Sequence, residues 1–489
     1  MTDRQGYPLR ALGIALVTGL VFFLYHGLTD NLLGVDAYFH LRFSAIMAEQ
    51  GLVRDFVWLP FTIYAENFTD DHLLFHLLLI PFSDDLAGGQ LYASLMAAAV
   101  FAVFYLLLAH HGIRWPSLWT LGLILSSSTF LFRLCLVRPP SLSLLFLLIG
   151  CWIILDGRDR WLAPLGLIYA WSYGGFPLLI VQAGVAAAAY AVYGQNRWRL
   201  LMWASLGCLA GVVLNPYFPQ NLEFLWRSYT EIELGTFPPE VTAGNEDYPY
   251  ASSTAVRKAI LVWALTFAAI LAYTIRPIQF TATSLFLFLF SIAMLCLYLL
   301  ARRFIEYWPP FAVLFGAFAL QHWWSAAPAR WRSTLHSGMW LILPIVFAFS
   351  GHHVVTKMLD IREPGRPISL FKGAAGYLAK TAARGEIIFH SSWGDFPALF
   401  HLNPGHRYIA GLGLHYLYLH DAELHKTYKR VGNGDDKTPS QTIIDKFGAR
   451  YAFSRGSRQD FIASMDADPN SERVYEDEHA IVFRLTSQH

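Results

Sequence analysis

Charge is scarce in this sequence: Asp, Glu, Lys and Arg make up 15% of 489 residues and nearly cancel, to a formal net charge of +1. With no basic stripe interleaved with aromatics, the composition argues against nucleic acid as a partner. Cysteine is scarcer still, and all four residues (Cys135, Cys151, Cys208 and Cys296) stand inside apolar runs. That placement implies neither a disulfide framework nor a C-x-x-C metal site and leaves small packing residues. Arg4 and Arg10 precede the first apolar run, but no small-residue cleavage site follows, so this segment is expected to stay as an anchor. A nucleotide-binding glycine pattern and a visible inverted repeat are both missing.

Apolar side chain is what the chain has in abundance. With 55% hydrophobic and 16% aromatic residues, and a positive mean hydropathy, it lies outside the soluble globular range and reads as a polytopic α-helical membrane protein. Segments of crossing length fall near 10–28, 88–110, 116–134, 140–155, 161–175, 177–193, 199–214, 257–275, 279–300, 304–325 and 334–355, about eleven spans. The run from Leu73 to Phe82 is shorter and fits an interfacial or re-entrant helix. Short connections carry Arg114, Arg158, Arg160, Arg197, Arg199, Arg276, Arg330 and Arg332, which places the N-terminus in the cytoplasm. The alternate connections are long, and 215–256 holds Glu223, Glu231, Glu233, Glu240, Glu246 and Asp247. An odd span count then sets the C-terminal part outside the plasma membrane. The organisation expected is a membrane unit over 1–358, with outer loops 29–87 and 215–256, and a small extracytoplasmic α/β domain over 359–489. In that domain 386–390, 407–410 and 450–453 read as strands, 441–447 as a helix and 473–485 as a hairpin.

Two polar clusters interrupt the first outer loop: G-V-D-A-Y-F-H-L-R at 34–42 and F-T-D-D-H-L-L-F-H at 68–76. Carboxylates beside a membrane are costly to desolvate. One aspartate alone would read as the cap of a helix over 37–50, wet by the headgroup layer. The second cluster changes that weighing. His72 and His76 are four apart, as are Asp36 and His40, so each pair shares a helix face. Two short helices facing each other would gather Asp36, Asp70 or Asp71 and the imidazoles into a site for a divalent cation or a phosphate.

The D-A-Y-F-H-L-R string resembles the D-P-Y-Y-x-x-R type motif that follows the first transmembrane helix in oligosaccharyltransferase catalytic subunits and, more widely, in GT-C glycosyltransferases. Ala37 stands in the place of the proline, and D-D-H is similar to the second acidic motif of that group. The resemblance implies inverting transfer of a sugar or glycan from a polyprenyl-phosphate-linked donor to a glycan, lipid or protein acceptor at the outer face. It implies catalytic roles for Asp36 and Asp70 or Asp71, with Tyr38, His40 and Arg42 near the substrates. Where a metal is used, Mn or Mg would be held by Asp36, Asp71, His72 and His76. The group's long outer loop supplies another carboxylate, here Glu231 or Glu233, and the competing reading is that both are solvated. S-S-W-G-D-F-P at 391–397 is similar to the W-W-D-Y-G motif that reads the acceptor. Its order is altered and the second Trp is absent. In the competing reading Trp393 packs a corner and Asp395 caps the helix from Phe396.

Arg133 and Arg138 flank L-C-L-V, and Arg302 and Arg303 open R-R-F-I-E-Y-W-P-P. Such groups either snorkel to headgroups or clamp a lipid-linked phosphate, with Glu306 one turn from the second pair to orient it. Tyr173 to Pro177 reads as a tight turn serving helix packing. Two other functions compete with glycosyl transfer. A transporter or flippase would use acids within the membrane, and a non-catalytic assembly protein would bind its partner through the tail domain.

Overall fold

The computed structural model describes residues 6–233, 237, 241, 244–275, 281–326, 328–361 and 367–487, and within these the side chains of Ile232, Glu233, Asn245, Ile275, Ala326 and 329–340 are left undescribed. Each apolar segment in the N-terminal three quarters is helical, as backbone shielded from water requires. Among the described residues four helices have the length and hydropathy to cross a membrane: Tyr7–His26, Leu86–His110, Ala282–Leu300 and the Leu341–Asp360 part of Ala329–Asp360. Two more crossings count if each sharply bent pair is one: Pro116–Ile124 with Ser128–Leu134, at 89°, and Ser252–Lys258 with Ile260–Thr274, at 85°. Pro139–Leu155, Pro177–Val192 and Arg199–Val213 are apolar but shorter, and Leu162–Ala170 has nine residues. Each of the eleven segments therefore holds helix, but among the described residues four to six crossings meet the length and hydropathy criterion.

The bends have a physical cause at Ser127. Its hydroxyl accepts from the Phe130 N–H, capping Ser128–Leu134, and donates to the Lys258 carbonyl at 2.7 Å. One serine thus satisfies backbone groups that two interrupted helices leave open, and it ties the breaks together. The helix Trp308–Ala326 runs through the centre of the bundle, with every residue from Tyr307 to Ala317 buried.

The C-terminal part is a five-stranded sheet in the order β2-β1-β3-β5-β4: β1 Ile387–His390, β2 Arg407–Tyr408, β3 Tyr451–Arg455, β4 Ser471–Glu476 and β5 Ala480–Leu485. β1 pairs in parallel with β2 and β3, and β5 pairs antiparallel with β3 and β4. The sheet unit does not stand apart from the bundle. Phe39, Phe43, Phe56 and Trp58 of the first outer segment share one buried cluster with Phe371, Phe396, Phe400 and Tyr408. Polar contacts lock the same seam: Arg42 Nε donates to the His401 carbonyl at 2.8 Å, and Trp58 Nε1 to the Pro404 carbonyl at 2.8 Å.

Candidate active site

Two short helices face each other in the first outer segment, Asp36–Gln50 and Leu73–Leu79. Asp36 is the first residue of its helix and not its cap, since Val35 holds the N-cap position, so the expected capping role is not met and the carboxylate sits in the first turn. It approaches Arg138 Nη2 at 3.7 Å and is about one-third exposed, on a cavity of about 160 Å³. Asp70, Asp71, His40, His72 and His76 line the same cavity, so residues some thirty positions apart in the chain do meet.

Behind the cavity wall the imidazoles form a chain. His76 Nδ1 lies 2.9 Å from both oxygens of Asp70, and His76 Nε2 lies 2.9 Å from His40 Nδ1. All three residues are buried, with the rings of Phe39, Phe43 and Phe75 against the imidazoles. A carboxylate only accepts, so His76 Nδ1–H donates to Asp70, and in the tautomer that leaves His76 Nε2 as acceptor, His40 donates from Nδ1–H. The lone pair of His40 is left on Nε2. Burial, reinforced by His76, His72 and Arg138, holds His40 well below the usual imidazole range and keeps that lone pair available.

Asp71 engages His72 Nδ1 at 2.6 Å, and the His72 N–H donates to Asp70 at 3.0 Å. Burial works against a charged His72, yet Asp71 and Asp70 outweigh it and raise its pKa. Ligand atoms of Asp70, Asp71 and His72 lie within 4.8 Å of one another, a donor set of oxygens and one nitrogen that fits a divalent ion. The expected set of Asp36, Asp71, His72 and His76 differs from this one, because Asp36 faces Arg138 while His76 is committed to Asp70 and His40.

The same cavity is lined by guanidinium groups, held by acids. Arg138 donates through Nη1 and Nη2 to Glu246, at 2.8 and 2.7 Å, and Arg133 Nη1 adds a third bond at 3.0 Å. Arg133 Nε also bonds Glu306. Burial alone would push the Glu246 carboxyl up, but Arg138 and Arg133 win and hold it far below the carboxylate range. Arg303 lines the cavity and pairs with Asp247 at 3.0 Å. Arg302 lies away from it, stacked over Tyr250 at 4.8 Å and donating to the Pro249 carbonyl.

Other expected site residues serve the framework. Tyr38 is fully buried, its hydroxyl accepting from the Leu32 N–H. Glu231 pairs with Arg227 one helical turn away, and neither lines the cavity. The side chain of Glu233, and Glu240 altogether, lie outside the described residues. Trp393 packs against the inner sheet cluster. Asp395 holds the N-cap position of Phe396–Leu402 without a side-chain cap bond, and its carboxylate pairs with Arg455 at 2.8 Å inside the sheet unit.

Three features of the site carried no sharp signal in the sequence. Glu246, one of six acids in its loop, is the one between the arginines. The Tyr173–Pro177 turn does more than pack helices: Tyr173 lines the cavity, its ring 5.7 Å from that of His72. The sheet unit contributes Leu412, at a φ of 60°, and Tyr416 to the same wall.

A helical bundle with this outer segment and small sheet unit is a GT-C-like fold. Three solved structures show the likeness. The oligosaccharyltransferase AglB from Archaeoglobus fulgidus, in complex with an inhibitory peptide and a dolichol-phosphate, is similar at a TM-score of 0.62 and 12% identity, over 95% of this chain and 71% of its own. ArnT from Cupriavidus metallidurans in the apo state gives 0.61 and 14%, over 99% and 98%. ArnT bound to undecaprenyl phosphate gives 0.57 and 13%, over 98% of each chain. No protein-family model and no curated protein matches the sequence.

Proposed function

We propose that this protein is a membrane glycosyltransferase that moves a sugar or oligosaccharide from a polyprenyl-phosphate-linked donor to an acceptor, on the membrane face that carries the sheet unit. The observation that carries this reading is one cavity lined together by aspartates, imidazoles and partly buried arginines. Solved structures of the same fold with dolichol-phosphate and with undecaprenyl phosphate support the donor class.

The reaction breaks the bond between the anomeric carbon and the phosphate oxygen while an acceptor heteroatom forms the new bond. Charge grows on the departing phosphate, and Arg138 and Arg133 receive it. The carboxylate of Glu246, with three guanidinium N–H bonds, marks where that phosphate docks. Asp36, at the cavity edge beside Arg138, directs the acceptor and takes its proton, with His40 Nε2 as the second proton acceptor. Asp70, Asp71 and His72 would hold a divalent ion such as Mn or Mg, which supplies positive charge against phosphate oxygens.

Lipid analysis of a deletion strain tests the proposal: a glycosylated polyprenyl carrier should accumulate, and complementation with Asp36→Asn should leave it accumulated at normal protein abundance. A deletion strain with unchanged carrier lipids, or an Asp36→Asn protein that restores them, would defeat it.

A further inference from the structure

A second cluster of ligating side chains lies at the other end of the bundle. The helix Pro139–Leu155 starts on the cavity, with Pro139 and Pro140 in its wall, and delivers Asp156 at its C-cap. Seventeen residues at 1.5 Å each put Asp156 about 25 Å from the cavity. The helix Leu86–His110 ends beside it, with His110 as its last residue and His111 as its C-cap.

Both imidazoles aim at a single oxygen. His110 Nε2 lies 2.9 Å from Asp156 Oδ1, and His111 Nε2 lies 3.7 Å from the same atom. The second distance is too long for a hydrogen bond. His111 Nε2 is nevertheless buried and makes no hydrogen bond, a costly arrangement for a ring nitrogen. Arg158 engages the other oxygen, Oδ2, at 3.5 Å and leaves Oδ1 to the histidines. All three ligand atoms lie within 4.8 Å of one another. Zinc bonds of about 2.0 Å in a tetrahedron place ligand atoms about 3.3 Å apart, between the two separations seen at Oδ1.

We infer that His110, His111 and Asp156 form a transition-metal site, suited to zinc, with two imidazole nitrogens, one carboxylate oxygen and the fourth position open to water. Two nitrogens and one oxygen select zinc over magnesium or calcium, which prefer oxygen ligands. An ion there joins the ends of two helices, one of which, Pro139–Leu155, begins on the reaction cavity. It also sits at a helix C-terminus, where a cation is favoured.

The test is calorimetric titration of Zn²⁺ into the full chain, purified in detergent and stripped with chelator. Wild type should bind one equivalent more than His110→Gln or His111→Gln. Asp71→Asn, which addresses the cavity cluster, should keep that equivalent. Co²⁺ in its place should give the visible absorption of a four-coordinate site in wild type and in Asp71→Asn, and in neither histidine variant. His110 is exposed, so its glutamine variant decides the matter even if His111→Gln fails to fold. Equal stoichiometry in wild type and His110→Gln would overturn the inference.

Discussion

Arg138 grips Glu246 with both terminal nitrogens, at 2.8 and 2.7 Å, and so presents its full fork to an acid of its own chain. In the proposed reaction this carboxylate and the donor phosphate compete for one set of N–H groups. Glu246→Gln should therefore tighten binding of undecaprenyl phosphate about tenfold or more, equivalent to about 1.4 kcal/mol. Removing one charge of this part-buried pair also costs stability, by about 1 kcal/mol. Binding to the purified variant, followed by tryptophan fluorescence, checks the first effect and thermal unfolding the second. Weaker phosphate binding would mean that Glu246 helps to hold the ligand.

The proton arrangement along Asp70, His76 and His40 depends on an acceptor-only group at its buried end. Asp70→Asn puts an amide donor within reach of His76 Nδ1 and favours the opposite tautomer. Transfer should fall by about 100-fold, the scale of general-base contributions. The KM for the lipid donor should rise as well, because Asp70 also belongs to the group that would hold a divalent ion against the phosphate. A change confined to KM would assign Asp70 to substrate binding.

Acid should weaken the sheet unit through His390. Burial pushes this imidazole down to about 4 from an ordinary 6.5, while Nδ1–H donates to the Ser392 carbonyl. Its folded pKa lies below its unfolded one, so the unfolded chain binds the extra proton first as pH falls. Stability should therefore drop between pH 6.5 and about 4, by about 3 kcal/mol at 1.36 kcal/mol per unit. Denaturant melts of wild type and His390→Gln across that window measure it, and parallel slopes in the two proteins would count against the assignment.

Trp58 joins the outer segment to the sheet unit through its ring, 5.2 Å from Phe400, and through its N–H on Pro404. Trp58→Ala should cost about 3–5 kcal/mol at this seam. Limited proteolysis near residue 362 would report a loosened unit as faster cleavage. Unaltered cleavage would show that Arg42 and the remaining aromatics hold the seam without it.

Much of this architecture was legible in the chain. Apolar runs predicted the helices, and alternation predicted the strands, because both follow from local periodicity. Asp36, Asp70, Asp71 and the histidines were legible as candidates because charge within apolar sequence demands a reason. What stayed hidden was decided by tertiary contact. Nothing in its spacing separates Glu246 from Glu231, yet one lies between two arginines and the other pairs along its own helix. The sharp bends at Ser127 and Ala259 break segments whose hydropathy alone reads as continuous. Leu412 and Tyr416 reach the cavity from more than 330 positions beyond His72, a proximity no local pattern encodes.

The aromatic seam gives the tail a mechanical hold on chemistry. Phe39, one turn along from Asp36, rests on Phe396 and Phe400 at ring separations of 6.1 and 5.6 Å. Any rocking of the sheet unit acts as a lever on that short rod and swings the carboxylate at its tip toward or away from Arg138. In the proposed reaction, a molecule that pulls on the tail would thereby set the pace of a step it never touches.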